Sequence, residues 1–249
     1  GSIAMEIVQE LPTVDYILAP VGGGGLITGV STLAKMLNPK IKVIGVEPAA
    51  APSMTMALAS GEPVTLDSAN TIADGTAVKR VGDRIFEYAK KNIDQMLTVE
   101  DDELVGAFLD MVENHKMIVE NSGLLTVAAL KQLDLKGKKA VAILSGGNMD
   151  VITMSSIVQH GLIQRDRIFS ASVLLPDKPG QLALVAQTIA DAQGNVIKLE
   201  HNQFVSTNRN AAVELRITME AYGTEHKNQI MKALEEKGFR PREIGAKLY

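Results

Sequence analysis

Residues 20–29 read PVGGGGLITG, in which four consecutive glycines separate two different hydrophobic patterns. Before the glycines, residues 16–20 (YILAP) form an aliphatic run that is typical of a short buried strand. After them, residues 26–34 (LITGVSTLA) repeat apolar side chains at helical spacing. A helix that begins there has unpaired N–H groups in its first turn, and glycines let an anion approach them closely. The stretch therefore predicts a phosphate site where a strand leads into a helix.

The same alternation of strand and helix continues to about residue 160. The predicted strands are 15–20, 41–47, 94–98 and 139–145. The predicted helices are 3–11, 25–37, 53–60, 81–91, 101–114, 122–131 and 150–159. These strands are short and aliphatic on both faces, which is typical of a parallel sheet covered by helices on both sides. We therefore predict an α/β fold for this part of the chain.

The pattern changes after a charged segment, Gln164-Arg165-Asp166-Arg167, where we predict a boundary between domain 1–165 and domain 168–249. The second domain is predicted to contain strand 168–175, helix 179–193, strands 195–205 and 210–219, helix 224–237 and strand 240–245. This βαββαβ order is the ferredoxin-like arrangement.

Composition excludes several classes of function. The 249 residues include no cysteine, which excludes disulfides and thiolate chemistry. The net charge is −4 and only 4% of residues are aromatic, so neither a basic surface nor a stacking platform for nucleic acid is predicted. No apolar run has the length of a membrane span. We expect a cytoplasmic protein with no nucleic-acid or membrane partner.

The glycine stretch departs from the common nucleotide-binding motifs. Gly24 and Gly29 have the spacing of the nucleoside-triphosphate loop, but Val30 stands where that loop has lysine. The dinucleotide pattern G-x-G-x-x-G also fails. The phosphate tail of a cofactor fits better. A nucleotide-binding alternative stays open, because Glu47 lies about 20 residues further on, where an acid would hold a ribose.

A second glycine turn, residues 144–148 (LSGGN), also follows a predicted strand and precedes a predicted helix. Ser145 is therefore expected at the carboxyl edge of the sheet. Its hydroxyl there can reach a ring nitrogen in the same cleft, or it can serve only as a helix cap or turn residue.

In series, PVGGGGLITGV, VIGVEP, TIADGTAVKRVGDRIF, IVENSG and ILSGGNMD resemble the threonine/serine dehydratases, which are pyridoxal-phosphate-dependent ammonia-lyases of fold type II. The resemblance implies that the cofactor phosphate binds at Gly22, Gly23, Gly24, Gly25 and Leu26. It also implies that Ser145 hydrogen-bonds the pyridine nitrogen. A hydroxyl, unlike a carboxylate, does not keep that nitrogen protonated, so the ring is a weaker electron sink.

Some relatives have a cation site that matches Glu47, Ala51 and Ser53, although an acid usually stands at the position of Ser53. Because serine replaces that acid here, we expect no metal, and Glu47 is only a weak candidate ligand. A purely structural role for Glu47 is the alternative.

The second domain resembles an ACT regulatory domain, through LPDKPGQL at 175–182 and GNVI at 194–197. The resemblance implies an amino-acid effector (isoleucine, valine, threonine or serine) and a homo-oligomer, dimer or tetramer, formed by ACT pairing. The implied effector ligands are Asp177, Gly180, Asn195 and Val196. An ordinary turn with a helix cap is the other interpretation of residues 177–180.

The family binds pyridoxal phosphate as a Schiff base to a lysine that precedes the glycine loop in a Ser-Phe-Lys-like context. No lysine of this chain has that context. We therefore expect a C-terminal fragment of a threonine (or serine) ammonia-lyase, with no catalytic residue of its own and inactive alone. A biosynthetic role, in making isoleucine, and a catabolic role both stay open. The alternative is an amino-acid-sensing and dimerising module without catalysis.

Overall fold

The computed structural model describes residues 1–202 and 213–246 of the chain. The chain divides into two compact units, Gly1–Val158 and Gln159–Tyr249. Within the described residues, each unit has a four-stranded sheet of its own. None of the described helices combines the length and the apolar character needed to cross a membrane.

The first unit alternates strands with helices. Its strands are β1 (Tyr16–Pro20), β2 (Lys42–Pro48), β3 (Gln95–Val99) and β4 (Ala140–Ala142). Its helices are α1 (Ser2–Glu10), α2 (Gly25–Leu37), α3 (Ser53–Ser60), α4 (Asp83–Asn92), α5 (Asp101–Asp110), α6 (Asn121–Ala129) and α7 (Val151–Gln164), the last of which extends past Val158. All strand pairs are parallel, in the order β3-β2-β1-β4. The predicted parallel α/β sheet is thus confirmed.

Helices cover both faces of this sheet. Successive strand residues point to opposite sides, so Ile17 of β1 packs in one hydrophobic core with α1, α2 and α4, while Leu18 packs in a second core with α5 and α6. Both side chains are completely buried. Double coverage explains why the strands read as continuous aliphatic runs rather than alternating with polar residues.

Strand β4 ends three residues before the predicted limit of 145, and the reason lies on its neighbour. The Ile143 N–H still donates to the Leu18 carbonyl at 3.0 Å. The next bond of the ladder would come from the N–H of Pro20, which proline lacks. The Ile143 carbonyl instead accepts from the Thr126 hydroxyl at 3.0 Å. The pairing stops, and the chain turns away at Ser145.

The second unit contains β5 (Ile168–Leu175), α8 (Gln181–Asp191), β6 (Asn195–Asn202), β7 (Val213–Glu220), α9 (Thr224–Glu236) and β8 (Pro241–Ile244). The pairs are antiparallel, in the order β6-β7-β5-β8. Both helices pack in one core with one face of the sheet, and Ala171, Val173, Leu215 and Ile217 belong to that face. The predicted ends of strands 195–205 and 210–219 fall on residues 203–212, outside the described residues.

The charged segment at the predicted boundary is tied to the second unit. Asp166 accepts hydrogen bonds from the Lys227 ammonium at 2.8 Å and the Thr224 hydroxyl at 2.7 Å. The Lys227 ammonium also reaches Glu243 at 3.1 Å. The bond from Lys227, helped by that from Thr224, holds the pKa of Asp166 below its ordinary value. The segment is therefore fastened to the start of α9.

Candidate functional site

Two turns meet at the carboxyl edge of the first sheet. The glycine loop follows β1 and the LSGGN turn follows β4, and these strands are neighbours with Leu18 opposite Ala142. The strand order changes side here, because β2 and β3 follow on one side of β1 whereas β4 lies on its other side, and open α/β sheets bind ligands at such a point. A cleft of about 270 Å³ lies there, lined by Pro20, Gly22, Gly23, Gly24, Gly25, Leu26, Gly75, Thr76, Glu120, Ser122 and Ser145.

The glycine loop presents unpaired backbone donors to this cleft. Gly24 has a left-handed backbone with φ +84° and is the N-cap of the 13-residue helix α2. Its carbonyl accepts the first hydrogen bond of the helix, from the Thr28 N–H at 3.0 Å. Within residues 1–202 and 213–246, the N–H groups of residues 22–26 donate to no protein acceptor. Unpaired N–H groups at a helix start, reinforced by the helix dipole, bind anions.

The four glycines are present for two different reasons. A Cβ on Gly22 would lie 3.0 Å from the Thr76 Cα, and one on Gly24 would lie 2.6 Å from the Ile85 Cγ2, so the fold itself requires these two. A Cβ on Gly23 or Gly25 would meet nothing within 4 Å. Protein packing leaves those two glycines unexplained, whereas an anion that sits against the loop requires the empty space. The loop therefore fits a phosphate group.

The facing side of the cleft is formed by Ser145 and Glu120. The Glu120 N–H donates to the Gly146 carbonyl at 3.1 Å, and its carboxylate accepts from the Asn148 N–H at 3.2 Å. A Cβ on Gly146 would lie 2.4 Å from the Glu120 Cδ. Glu120 thus fixes the conformation of the LSGGN turn, and its position explains why Gly146 has no side chain. Ser145 is exposed and lines the cleft.

A short helical turn, Asp74–Thr76, and the start of α6 complete the cleft. The Thr76 hydroxyl donates to the Ala73 carbonyl at 2.9 Å and contacts the Ser122 hydroxyl at 3.4 Å. Sequence reasoning assigned no site role to these groups or to Glu120. The available signal was in the stretches ADGT and IVENSG, but one-dimensional spacing does not reveal that they meet at one cleft.

Glu47 lies outside the cleft and acts as a helix cap. It is completely buried on β2, where its Oε1 accepts from the Met54 N–H at 2.7 Å. Its Oε2 accepts from the N–H of Thr55 at 2.9 Å and from the hydroxyl of Thr55 at 2.7 Å. These bonds satisfy the first turn of α3. A carboxylate held in this way cannot reach a ribose in the cleft. The nucleotide-binding alternative therefore has no acidic residue at the position it requires.

The same bonds support the structural role for Glu47 over a ligand role. Ala51 and Ser53, the other two residues that match the cation site of some relatives, are also buried. Over the described part of the chain, no three or more acidic, histidine or cysteine side chains are arranged to hold a metal ion. Burial raises the pKa of Glu47, while the hydrogen bonds from Met54 and Thr55 act against that rise.

Replacing Glu47 by glutamine is expected to lower the free energy of unfolding by about 1–3 kcal/mol near pH 5, because the new NH₂ group faces buried donors. The folded-state pKa of Glu47 is raised above its ordinary value of 4.5. The wild type therefore loses stability as the pH rises from 4.5 through the folded pKa, and the variant does not. Their difference should shrink toward pH 8 in urea unfolding.

The exposed Glu62 provides the control for this measurement, since Glu62→Gln also removes one charge. Its difference from the wild type should stay small, because the side chain is exposed. A difference for Glu47→Gln that grows with pH would mean that the hydrogen bonds outweigh burial and would contradict the prediction.

The four residues predicted to hold an effector lie at two ends of the second sheet. Asp177 and Gly180 follow the end of β5, whereas Asn195 and Val196 begin β6. Asn195 is opposite Glu220, which is itself opposite Ile168 at the start of β5. With about 3.3 Å per residue along β5, the two pairs are separated by roughly 20 Å. A single chain does not bring them to one ligand.

Comparisons with known proteins agree with this geometry. A family model described as pyridoxal-phosphate dependent enzyme matches residues 1–146. The chain is 37% identical to an L-threonine ammonia-lyase of Thermotoga maritima over 246 residues, which cover 98% of this chain and 61% of that relative. It is 36% identical to the L-threonine dehydratase biosynthetic IlvA of Pasteurella multocida over 245 residues, or 96% of this chain and 46% of that relative.

A similar structure points the same way. The processed form of threonine deaminase isoform 2 from Solanum lycopersicum superposes with a TM-score of 0.60 at 36% identity. That match covers 64% of this chain and 47% of the tomato protein. The chain thus spans between about half and three fifths of the length of these relatives.

Proposed function

Because the chain belongs to the family of pyridoxal-phosphate-dependent enzymes, we propose that it is the part of a threonine (or serine) ammonia-lyase that binds the phosphate and the ring nitrogen of the cofactor. The observation that carries this proposal is the pair of glycines, Gly23 and Gly25, whose missing side chains leave open space beside unpaired N–H groups. The names of the relatives supply the reaction class.

The residues of the cleft divide the binding between them. The N–H groups of residues 22–26 would hold the cofactor phosphate, since they are donors at the positive end of α2. The Ser145 hydroxyl would pair with the ring nitrogen without keeping it protonated. Pyridoxal phosphate supplies an electron sink for the pair of electrons left when the substrate loses its α-proton. Glu120 would position Ser145 through its bonds to the LSGGN turn.

The proposed net reaction turns threonine into 2-oxobutanoate and ammonia. Water leaves from the Cα–H and Cβ–OH bonds, and hydrolysis of the resulting imine returns one water. Among the described residues that line the cleft there is no lysine to bind the cofactor covalently or to move the α-proton. We therefore propose that the reaction belongs to a longer protein that contains this chain, and that this chain alone binds without catalysing.

We further propose that the second unit is an ACT domain that pairs with a second copy and binds an amino-acid effector. Among the described strands, β6 is at the edge of its sheet, and it runs parallel to β5. Antiparallel pairing of two β6 edges would place Asn195 of one copy at the same end of the joined sheet as the Asp177–Gly180 turn of the other. Two copies could thus unite the residues that one chain keeps apart. Isoleucine is the effector favoured by the biosynthetic name of one relative.

A titration of this chain with pyridoxal phosphate, followed by fluorescence, tests the cofactor site. We expect saturable binding of one ligand per chain and at least tenfold weaker binding of pyridoxal, which lacks the phosphate. Ser145→Ala should weaken pyridoxal phosphate binding about three- to tenfold, because one neutral hydrogen bond contributes about 1 kcal/mol. Equal affinity for the two ligands would refute the phosphate site.

Two further measurements distinguish the enzyme hypothesis from the alternative of an amino-acid-sensing module without catalysis. Borohydride reduction of the pyridoxal phosphate complex should label no single lysine of this chain stoichiometrically. Release of 2-oxobutanoate from threonine, measured with the longer protein, should occur at a rate that depends on added cofactor. Failure of the longer protein to convert threonine or serine would leave the sensing module as the better account.

A further inference from the structure

The second sheet has one face that carries no helix and is polar at its centre. The opposite face packs with α8 and α9 through Ala171, Val173, Leu215 and Ile217. Because side chains alternate along a strand, the residues between these point to the other face. A cavity of about 310 Å³ lies on that face, lined by Ser170, Lys198, Glu200, Arg216, Thr218, Ile244 and Gly245.

The strand register explains why these side chains are together. Lys198, Thr218, Ser170 and Ile244 are opposite one another on the four strands and form one row across the whole sheet. Glu200 and Arg216 are opposite each other in the next row of the same face. The cavity thus has charged groups at one end, two hydroxyls in the middle and an apolar side chain at the other end.

The two hydroxyls at the centre of the cavity have one hydrogen that their mutual hydrogen bond does not use. Ser170 and Thr218 are 3% and 6% exposed, and their oxygens are 2.8 Å apart. A single hydrogen bond between two hydroxyls uses one of their two hydrogens. Among the described residues no further acceptor contacts either oxygen. The remaining hydrogen favours an acceptor inside the cavity, because a buried polar group without a partner is costly.

The charged end favours a carboxylate beside an ammonium group. Lys198 and Arg216 both line the cavity, and their positive charges together with the hydroxyls suit a carboxylate. Arg216 donates from its Nε to Glu214 at 3.0 Å, and its two terminal nitrogens take no part in that bond. The Glu200 carboxylate lies 2.9 Å from the Lys198 ammonium and places a negative charge at this end of the cavity. Ile244 offers an apolar wall for an aliphatic side chain.

We propose that this cavity binds an α-amino acid with an aliphatic side chain. The carboxylate contacts Arg216, Lys198 and the hydroxyl pair, the ammonium contacts Glu200, and the side chain contacts Ile244. The site lies within one chain and uses none of the four residues proposed above to hold an effector between two copies. It would therefore be a second amino-acid site on the same unit.

Calorimetric titration of the whole chain with isoleucine tests this site, with 3-methyl-2-oxopentanoate as the matched ligand that lacks the ammonium. We expect Arg216→Met to weaken isoleucine binding at least tenfold and Thr218→Val to weaken it about three- to tenfold. Arg242→Met is the control, because Arg242 is exposed on the same face, opposite Ser172, and does not line the cavity. The oxo acid should bind at least tenfold more weakly than isoleucine.

A second set of variants distinguishes this site from the effector site between two copies. Asp177→Ala should leave a binding event with the affinity assigned to the cavity. If Thr218→Val, confirmed as folded by circular dichroism, binds isoleucine like the wild type while Asp177→Ala abolishes all binding, the cavity proposal is wrong. Absence of isoleucine binding to the folded wild type would also overturn it, without touching the cofactor site.

Discussion

Replacing Gly24 by alanine is expected to lower the free energy of unfolding by about 2–4 kcal/mol. Alanine at φ +84° costs about 1 kcal/mol, since its Cβ crowds the backbone in the left-handed region. The added Cβ would also lie 2.6 Å from the Ile85 Cγ2 and 2.8 Å from the Met54 Cε. Overpacking of this kind costs about 1–3 kcal/mol more.

Urea unfolding measures this effect, and Gly61→Ala is its matched control. Gly61 has φ +86° at the end of α3, but a Cβ there would meet nothing within 4 Å. Its substitution should therefore cost only the conformational part, about 1 kcal/mol. Equal losses for the two variants would show that Ile85 and Met54 move aside, and the packing role of Gly24 would be rejected.

The double variant Gly23→Ala, Gly25→Ala is expected to lose at least thirtyfold in affinity for pyridoxal phosphate while its unfolding free energy changes by less than about 0.5 kcal/mol. The two Cβ atoms meet no protein atom within 4 Å, so the fold accommodates them. They would occupy the space beside the N–H groups of residues 22–26, where the phosphate is proposed to sit. The double variant should thus lose affinity for the cofactor and keep its stability.

Fluorescence titration and urea unfolding of the same sample provide both numbers. Pyridoxal is the matched ligand, because it lacks the phosphate and should bind the double variant as it binds the wild type. Unchanged affinity for pyridoxal phosphate would mean that the phosphate binds elsewhere. A loss of stability comparable to that of Gly24→Ala would instead mean that all four glycines serve the fold.

Much of the first unit was predictable because its signals are local. Aliphatic strands, helical periodicity and glycine turns lie within a few residues of one another, and they correctly indicated a parallel sheet covered on both faces. The limit of β4 was not predictable from β4 itself. It depends on Pro20 of the neighbouring strand, whose missing N–H stops the ladder at Ile143, more than 120 positions away along the chain.

The sequence by itself determined which backbone segments lack side chains and which strands are buried. Glycine and aliphatic residues have these tendencies regardless of what surrounds them. Only the tertiary structure decided which of these groups meet. Parallel pairing of β1 with β4 puts Ser145 opposite the glycine loop, and the fold adds Glu120 and Thr76 to the same cleft. The packing of Ile85 against Gly24, and not any local pattern, divides the glycines into those the fold requires and those left for a ligand. Contacts between distant segments arise from sheet pairing and packing, which local sequence spacing does not encode.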